Sequence, residues 1–250
     1  MRMAISNPFW DYCNLSICRR NCGCFWENAD RDPNGVETIR KVAQLCQEQP
    51  QNVWALRGNH EDISAEGKPL FAPCTLIEEV TAKLGNWNTY FVEELKPFLD
   101  SLWLCALIPG NTLLVHGGVS SKLEGLDDLR LPSDALHTDL LWSDPIVDGC
   151  GEKFNYTRGV GPEVSDEVCR ALCVEHIFRS HQPSACCIQN IVTHGSRVVT
   201  MNATSVYGGR PLSTSLTHLR QYRIATEASK NDKEILSDIC FICIATILRS

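Results

Sequence analysis

Six residues, Leu56-Arg57-Gly58-Asn59-His60-Glu61, constrain this chain more than any other stretch. They close Asn52-Val53-Trp54-Ala55-Leu56, a short apolar segment bounded by polar residues and Gly58, which reads as a buried strand. Glycine lets the backbone turn sharply, so Asn59, His60 and Glu61 are offered at the strand's end, where open sheets place their ligands. Asparagine brings a neutral oxygen suited to a metal, and histidine brings either a ligand or a proton donor. The chain repeats this chemistry twice. Thr112-Leu113-Leu114-Val115 runs into His116-Gly117-Gly118, and His176-Ile177-Phe178-Arg179 runs into Ser180-His181-Gln182.

The other elements follow from periodicity and punctuation. Val36, Ile39, Val42, Ala43 and Cys46 recur at helical spacing and stop near Gln49-Pro50. Leu76, Val80 and Leu84 predict a helix closed by Gly85, and residues 87–99 predict another. A strand over 103–108 turns through Pro109-Gly110-Asn111 into the strand that ends at His116. Leu140-Leu141-Trp142-Ser143-Asp144-Pro145 reads as a rigid loop. Ser165 is the expected cap of a helix with Asp166 and Glu167 in its first turn. A hairpin over 188–202 turns at His194-Gly195. Residues 1–26 resist assignment.

At 250 residues the chain suits one domain with an appendage; the division expected is 1–212 for the domain and 213–250 for a divergent tail. A net charge of −7 and the lack of a long Lys/Arg run argue against nucleic acid as the main partner. Residues 1–6 have no apolar run behind them, and the apolar stretch 235–248 is too short to span a bilayer. The expectation is therefore a cytoplasmic protein, or one shared with the nucleus, without a membrane partner. Fourteen cysteines are many, yet Cys18, Cys22 and Cys24 lack the partner pair of a zinc site, so reduced, mostly buried thiols are expected.

Strand ends carrying Asn59, His60, His116 and His181, with an acidic loop over 27–30, gather oxygen and imidazole ligands at one sheet edge. Such a set suits divalent Mn, Fe or Zn. Arg31, Arg158 and Arg179 lie near these residues in sequence and are candidate clamps for an anionic group. Metal, arginine and a histidine acid together make the apparatus for hydrolysing a phosphate ester. His137, His176, His194 and His218 have no such support and read as surface or satisfied polar side chains.

Gly58-Asn59-His60-Glu61, His116-Gly117-Gly118, Arg179-Ser180-His181-Gln182 and 139–145 together resemble the PPP family of serine/threonine protein phosphatases, within the calcineurin-like metallophosphoesterases. The resemblance runs in order from about residue 9 to Tyr207. It implies an α/β fold, a two-sheet β-sandwich flanked by helices. It also implies hydrolysis of phosphoserine and phosphothreonine esters in proteins by direct attack of a metal-activated hydroxide, with phosphoproteins and regulatory subunits as partners. Carried over by position, Glu27, Asn59, His116 and His181 resemble metal ligands, and His60 resembles the general acid, oriented by Asp30. Arg31 and Arg158 resemble phosphate clamps, with Asn59 and Tyr207 also facing substrate.

The departures are as informative. Glu27 stands where the family has a bridging aspartate, and its extra methylene displaces the carboxylate. Phe9-Trp10-Asp11 resembles the residues after the first metal-binding block, which puts Ala4 and Ser6 at positions that need Asp and His. Either the block precedes Met1 or the chain keeps one ion or none of the family's two. Two readings follow: a working phosphatase, or a catalytically dead pseudophosphatase that binds phosphoproteins or acts as a scaffold. A cyclic-nucleotide or dinucleotide esterase fits less well, because 139–145 and 179–182 look like protein phosphatase.

Overall fold

The computed structural model describes residues 23–25, 34–50, 53–146, 158–182, 191–201, 214–215 and 240–241. The first half contains β1 (Gly23–Phe25), α1 (Gly35–Glu48), β2 (Val53–Ala55), α2 (Thr75–Leu84), α3 (Trp87–Tyr90) and α4 (Lys96–Ser101). Then come β3 (Cys105–Ile108), β4 (Thr112–Val115), α5 (Leu126–Arg130), α6 (Asp134–Trp142), β5 (Asp144–Pro145) and β6 (Gly159–Val160). The rest comprises α7 (Pro162–Ala171), β7 (His176–Arg179), β8 (Ile191–Thr193), β9 (Val198–Thr200), β10 (Thr214–Ser215) and β11 (Cys240–Phe241).

One five-stranded sheet, ordered β3-β4-β7-β9-β8, organises the second half. β4, β7 and β9 run parallel, and antiparallel β3 and β8 flank them. The tight turn from β3 to β4 uses Gly110 at a φ of 71°, a left-handed conformation that glycine adopts without steric cost. Because β4 and β7 are parallel neighbours, with Leu114 opposite Phe178, their C-terminal ends emerge side by side. The first half repeats this arrangement with β1 parallel to β2, Phe25 opposite Ala55. Leu56 continues β2 into a parallel bridge with Trp103, and Arg57 N–H donates to the Trp103 carbonyl at 2.7 Å. Trp103 leads into β3, so this bridge ties the end of β2 to the five-stranded sheet.

Two apolar cores hold these layers. Leu107, Leu113, Val115 and Ile177 from the sheet pack with Leu136 and Leu140 of α6 and Val168 of α7. Val36, Ile39 and Val42 of α1 pack with Ala55, Leu76, Val80, Leu95 and Phe98. Asn34 makes no side-chain cap at α1; Glu79 of α2 instead accepts the Gly35 and Val36 N–H groups at 2.9 and 3.0 Å, joining two helices where free donors need a partner. Gly85, at a φ of 83°, closes α2 as expected. The helical run over 87–101 widens into a π turn at Phe91–Leu95, just before Pro97, which has no N–H to continue the ladder.

Two local expectations change. Residues 140–145 are not a loop: Leu140 to Trp142 end α6, whose cap is Ser133, and Asp144–Pro145 pairs with Gly159–Val160. The pattern of paired apolar residues there serves a helix terminus packed on the sheet. α7 begins at Pro162, not after Ser165, because proline at a first helical position is preorganised and needs no donor. Ser165 lies buried inside α7, with its hydroxyl 2.8 Å from His194 Nδ1, and His194 Nε2 sits 3.0 Å from the Ile146 carbonyl. His194 is a satisfied buried polar group, in agreement with the sequence reading.

Among the described residues no helix is long and apolar enough to cross a membrane. Cys105 and Cys169 are buried free thiols, whereas Cys173 is exposed. Burial pushes the Cys169 thiol up to about 11. Iodoacetamide at pH 8 is therefore expected to alkylate Cys173 in the native protein and Cys169 only after unfolding. Peptide mass spectrometry reads both, and equal native labelling of the two would contradict this packing.

Candidate active site

Parallel pairing brings the site together. Beyond the last residues of β4 and β7 the ladder continues once more, Ser180 N–H donating to the His116 carbonyl at 3.1 Å. His181 then takes a φ of 69°, an uncommon left-handed conformation for a residue with a side chain, of the kind that packing must sustain. The His116 and His181 rings meet edge to face, with centroids 5.1 Å apart. From the other sheet, Asn59 enters on a short 3₁₀ turn, Asn59–Glu61, that Glu61 fixes by accepting the Gly58 N–H at 2.7 Å.

The donor atoms converge closely. His116 Nε2 lies 2.8 Å from Asn59 Oδ1 and 3.2 Å from His181 Nδ1. A single proton on His116 Nε2 can point at one of these atoms and not at both. With the proton on Nδ1, which lies 3.0 Å from the Ser180 hydroxyl, lone pairs crowd one another across the gap. A cation relieves that repulsion. Donors about 3 Å apart are also spaced like neighbouring ligands on an ion with bonds of about 2.1 Å, so the set fits a divalent metal. It is an amide and two imidazoles; among the described residues no three His, Cys, Asp or Glu side chains form a metal-binding cluster. Burial pushes the pKa of His116 well below its ordinary value, and His181, Arg179 and His60 add to the effect. A neutral imidazole is the form that ligates.

Around this centre the structure assigns neighbours that the sequence patterns did not. The Trp142 ring stands edge-on to His181 at 5.9 Å, and Ser180 holds the far nitrogen of His116. His60 is buried beside Asn59, its ring 4.6 Å from that of Phe71. Arg158 is half exposed, with Nη1 donating to Asp139 Oδ1 at 2.6 Å; Lys122 donates to the other oxygen at 2.5 Å. Asp139 and Trp142, three residues apart on α6, are neighbours on one helix face, a spacing that was visible in the sequence. Glu27, Asp30, Arg31 and Tyr207, and the positions of Ala4 and Ser6, lie outside the described residues.

Arg179 is a correction. Grouped with Arg31 and Arg158 as a candidate anion clamp, it is fully buried instead. Its Nε donates to the Gly117 carbonyl, Nη1 to Gln182 Oε1 at 2.8 Å and Nη2 to Asp144 Oδ1 at 2.8 Å. Donors aimed into the protein brace β5 and the segments after β4 and β7, and the side chain offers no face to a ligand.

The fold resembles that of known proteins over most of the chain. A sequence profile of the calcineurin-like phosphoesterases matches residues 27–185, a span that leaves out Ala4 and Ser6. The chain is 31% identical over 164 residues to a serine/threonine-protein phosphatase of Caenorhabditis elegans, covering 61% of this chain and 35% of the relative. It is 32% identical over 169 residues to serine/threonine-protein phosphatase PP1-delta of the same organism, covering 61% and 51%. Among solved structures, a protein serine/threonine phosphatase from Saccharomyces cerevisiae with similarity to human phosphatase PP5 has a TM-score of 0.62 at 23% identity, covering 80% of this chain and 65% of that one. The chain spans between a third and about half of the length of these two curated relatives. The architecture is that of the calcineurin-like phosphoesterases. The chain belongs to the calcineurin-like phosphoesterase family.

Gly117 and His116 give two tests. A Cβ on Gly117 would lie 2.4 Å from the Leu141 carbonyl carbon, so Gly117→Ala is expected to destabilise the fold by about 1–3 kcal/mol in urea unfolding. For His116 the folded pKa is depressed, so its stability contribution is present above the unfolded value of about 6.5 and is lost as pH falls toward the folded value. In metal-free protein the pH dependence of the urea midpoint between 7.5 and 5.5 is expected to be steeper than in His116→Gln, by at most about 1.4 kcal/mol per pH unit. Identical slopes would mean that this ring is not kept neutral by the fold.

Proposed function

We propose that this chain hydrolyses phosphoserine and phosphothreonine esters in proteins. The observation that carries the reading is the convergence of Asn59 Oδ1, His116 Nε2 and His181 Nδ1 at a sheet edge. The similarity to proteins named serine/threonine-protein phosphatases supports the substrate class. Asn59, His116 and His181 would hold a divalent ion, Mn, Fe or Zn, with Glu27 as a further candidate ligand. Such an ion lowers the pKa of bound water and neutralises phosphoryl oxygens.

The protein's own groups do the remainder. Arg158 keeps donors free of Asp139 and faces solvent over part of its length, so it is the group to orient a phosphate, with Arg31 and Tyr207 as further candidates. His60 is the proton donor to the leaving serine or threonine oxygen, with Asp30 as the candidate that orients it. Its neighbour Asn59 is fixed at the donor cluster, and that connection holds the acid near the reacting phosphate. Ser180 holds the His116 ring in orientation through Nδ1, as outer-shell partners of ligating histidines do. Regulatory subunits remain candidate partners, and a cytoplasmic or nuclear location is part of the proposal.

The test combines metal stoichiometry by mass spectrometry, on protein reconstituted with Mn²⁺, with turnover of a phosphoserine peptide. Bound metal with turnover, and a drop in kcat of about 10²- to 10⁴-fold in His60→Ala, is the expected result. Absence of turnover at full metal loading would sink the hydrolase reading and leave a binding module.

A further inference from the structure

We infer that Lys122, which shares the Asp139 carboxylate with Arg158, is a receptor for a second anionic group on the substrate, an acidic side chain or another phosphate beside the one hydrolysed. The inference rests on the phosphoprotein reading and names the substrates it favours. Lys122 Nζ and Arg158 Nη1 take opposite oxygens of one carboxylate, Asp139, at 2.5 and 2.6 Å. Asp139 is buried, whereas about half of each cationic side chain is exposed, 51% for Lys122 and 43% for Arg158. Two cations against one anion leave the trio with a surplus positive charge on its outward side. Asp139 cannot turn out to cancel it, since both oxygens are engaged.

The position follows from the elements that carry it. Lys122 stands six residues beyond His116, on the segment leaving β4, and Arg158 immediately precedes β6. Asp139 lies one helical turn from Trp142, whose ring touches His181. The face of α6 that seats the two cations thus also carries the ring that stands against His181. In a chain with a net charge of −7, an acidic peptide meets net repulsion, so one local cationic pair can discriminate. Arg158 is the arm directed to the hydrolysed phosphate, and Lys122 is the one left for the neighbouring group.

The test measures dissociation constants for phosphoserine peptides by fluorescence anisotropy on Mn²⁺-reconstituted protein. The peptides differ only in having glutamates, glutamines or a second phosphoserine beside the phosphorylated residue. Glutamate and second-phosphate peptides are expected to bind about 5-fold more tightly than the glutamine peptide at low salt, a preference that added salt erodes. Lys122→Gln should abolish that ratio, and Lys122→Arg should keep it. A ratio of one in the wild type, or a ratio unchanged in Lys122→Gln while all affinities fall together, would overturn the inference and leave a structural role through Asp139. The preference without turnover would sustain the receptor and remove the hydrolase reading; turnover without the preference would do the reverse. Loss of both would remove both.

Discussion

The buried guanidinium of Arg179 is the interaction on which the rest of the site depends. It lies at the end of β7, with no exposed surface, and reaches the Gly117 carbonyl, Asp144 and Gln182. Those partners belong to the segment after β4, the strand after α6 and the segment after β7. Burial raises the pKa of Asp144, and Arg179 works against that rise, so each charge needs the other. Removing one member of such a pair leaves an uncompensated buried charge, which costs about 3–5 kcal/mol. The pair is better understood as a register device than as a source of net stability. It fixes which backbone atoms face one another where β4 and β7 end, and His116 and His181 inherit that alignment.

Glycine completes the same device. Gly117 and Gly118 lie against the backbone of Leu141 to Ser143 at distances that admit no side chain. Gly117 N–H donates to the Leu140 carbonyl at 2.8 Å while its carbonyl serves Arg179, so this residue ties α6 to β7 through its two backbone groups. The glycines after His116 are there for close approach and not for conformational freedom. α6 can then bring Trp142 against His181 and Asp139 under Lys122 and Arg158.

How much of this was legible in the sequence follows from the range of each interaction. The three strands ending at Asn59, His116 and His181 were readable because short apolar runs closed by glycine or a polar turn are local patterns. Their convergence was readable through resemblance, and physically it depends on β4 and β7 being parallel neighbours. Arg179 was misjudged because proximity in sequence to polar residues does not say whether a side chain points outward. Ser165 was misjudged because a good capping residue lost to Pro162 three positions earlier, and its hydroxyl was used by a histidine 29 residues away. The role of Asp139 was hidden because its partners, Lys122 and Arg158, are 17 and 19 residues distant.

Asn59 follows the strand of one sheet, and His116 and His181 follow the strands of another. The 2.8 Å contact between Asn59 and His116 therefore spans the seam between two layers that have largely separate apolar cores. A sliding of the layers by about an ångström would leave every strand intact and still pull Asn59 away from the two histidines. The donor cluster is in effect a vernier for inter-sheet registration, and mutations deep in either core can be felt there before any secondary structure is lost. Ligation across that seam is thermodynamically linked to the layers' alignment, so whatever binds all three groups also tightens the fold as a whole.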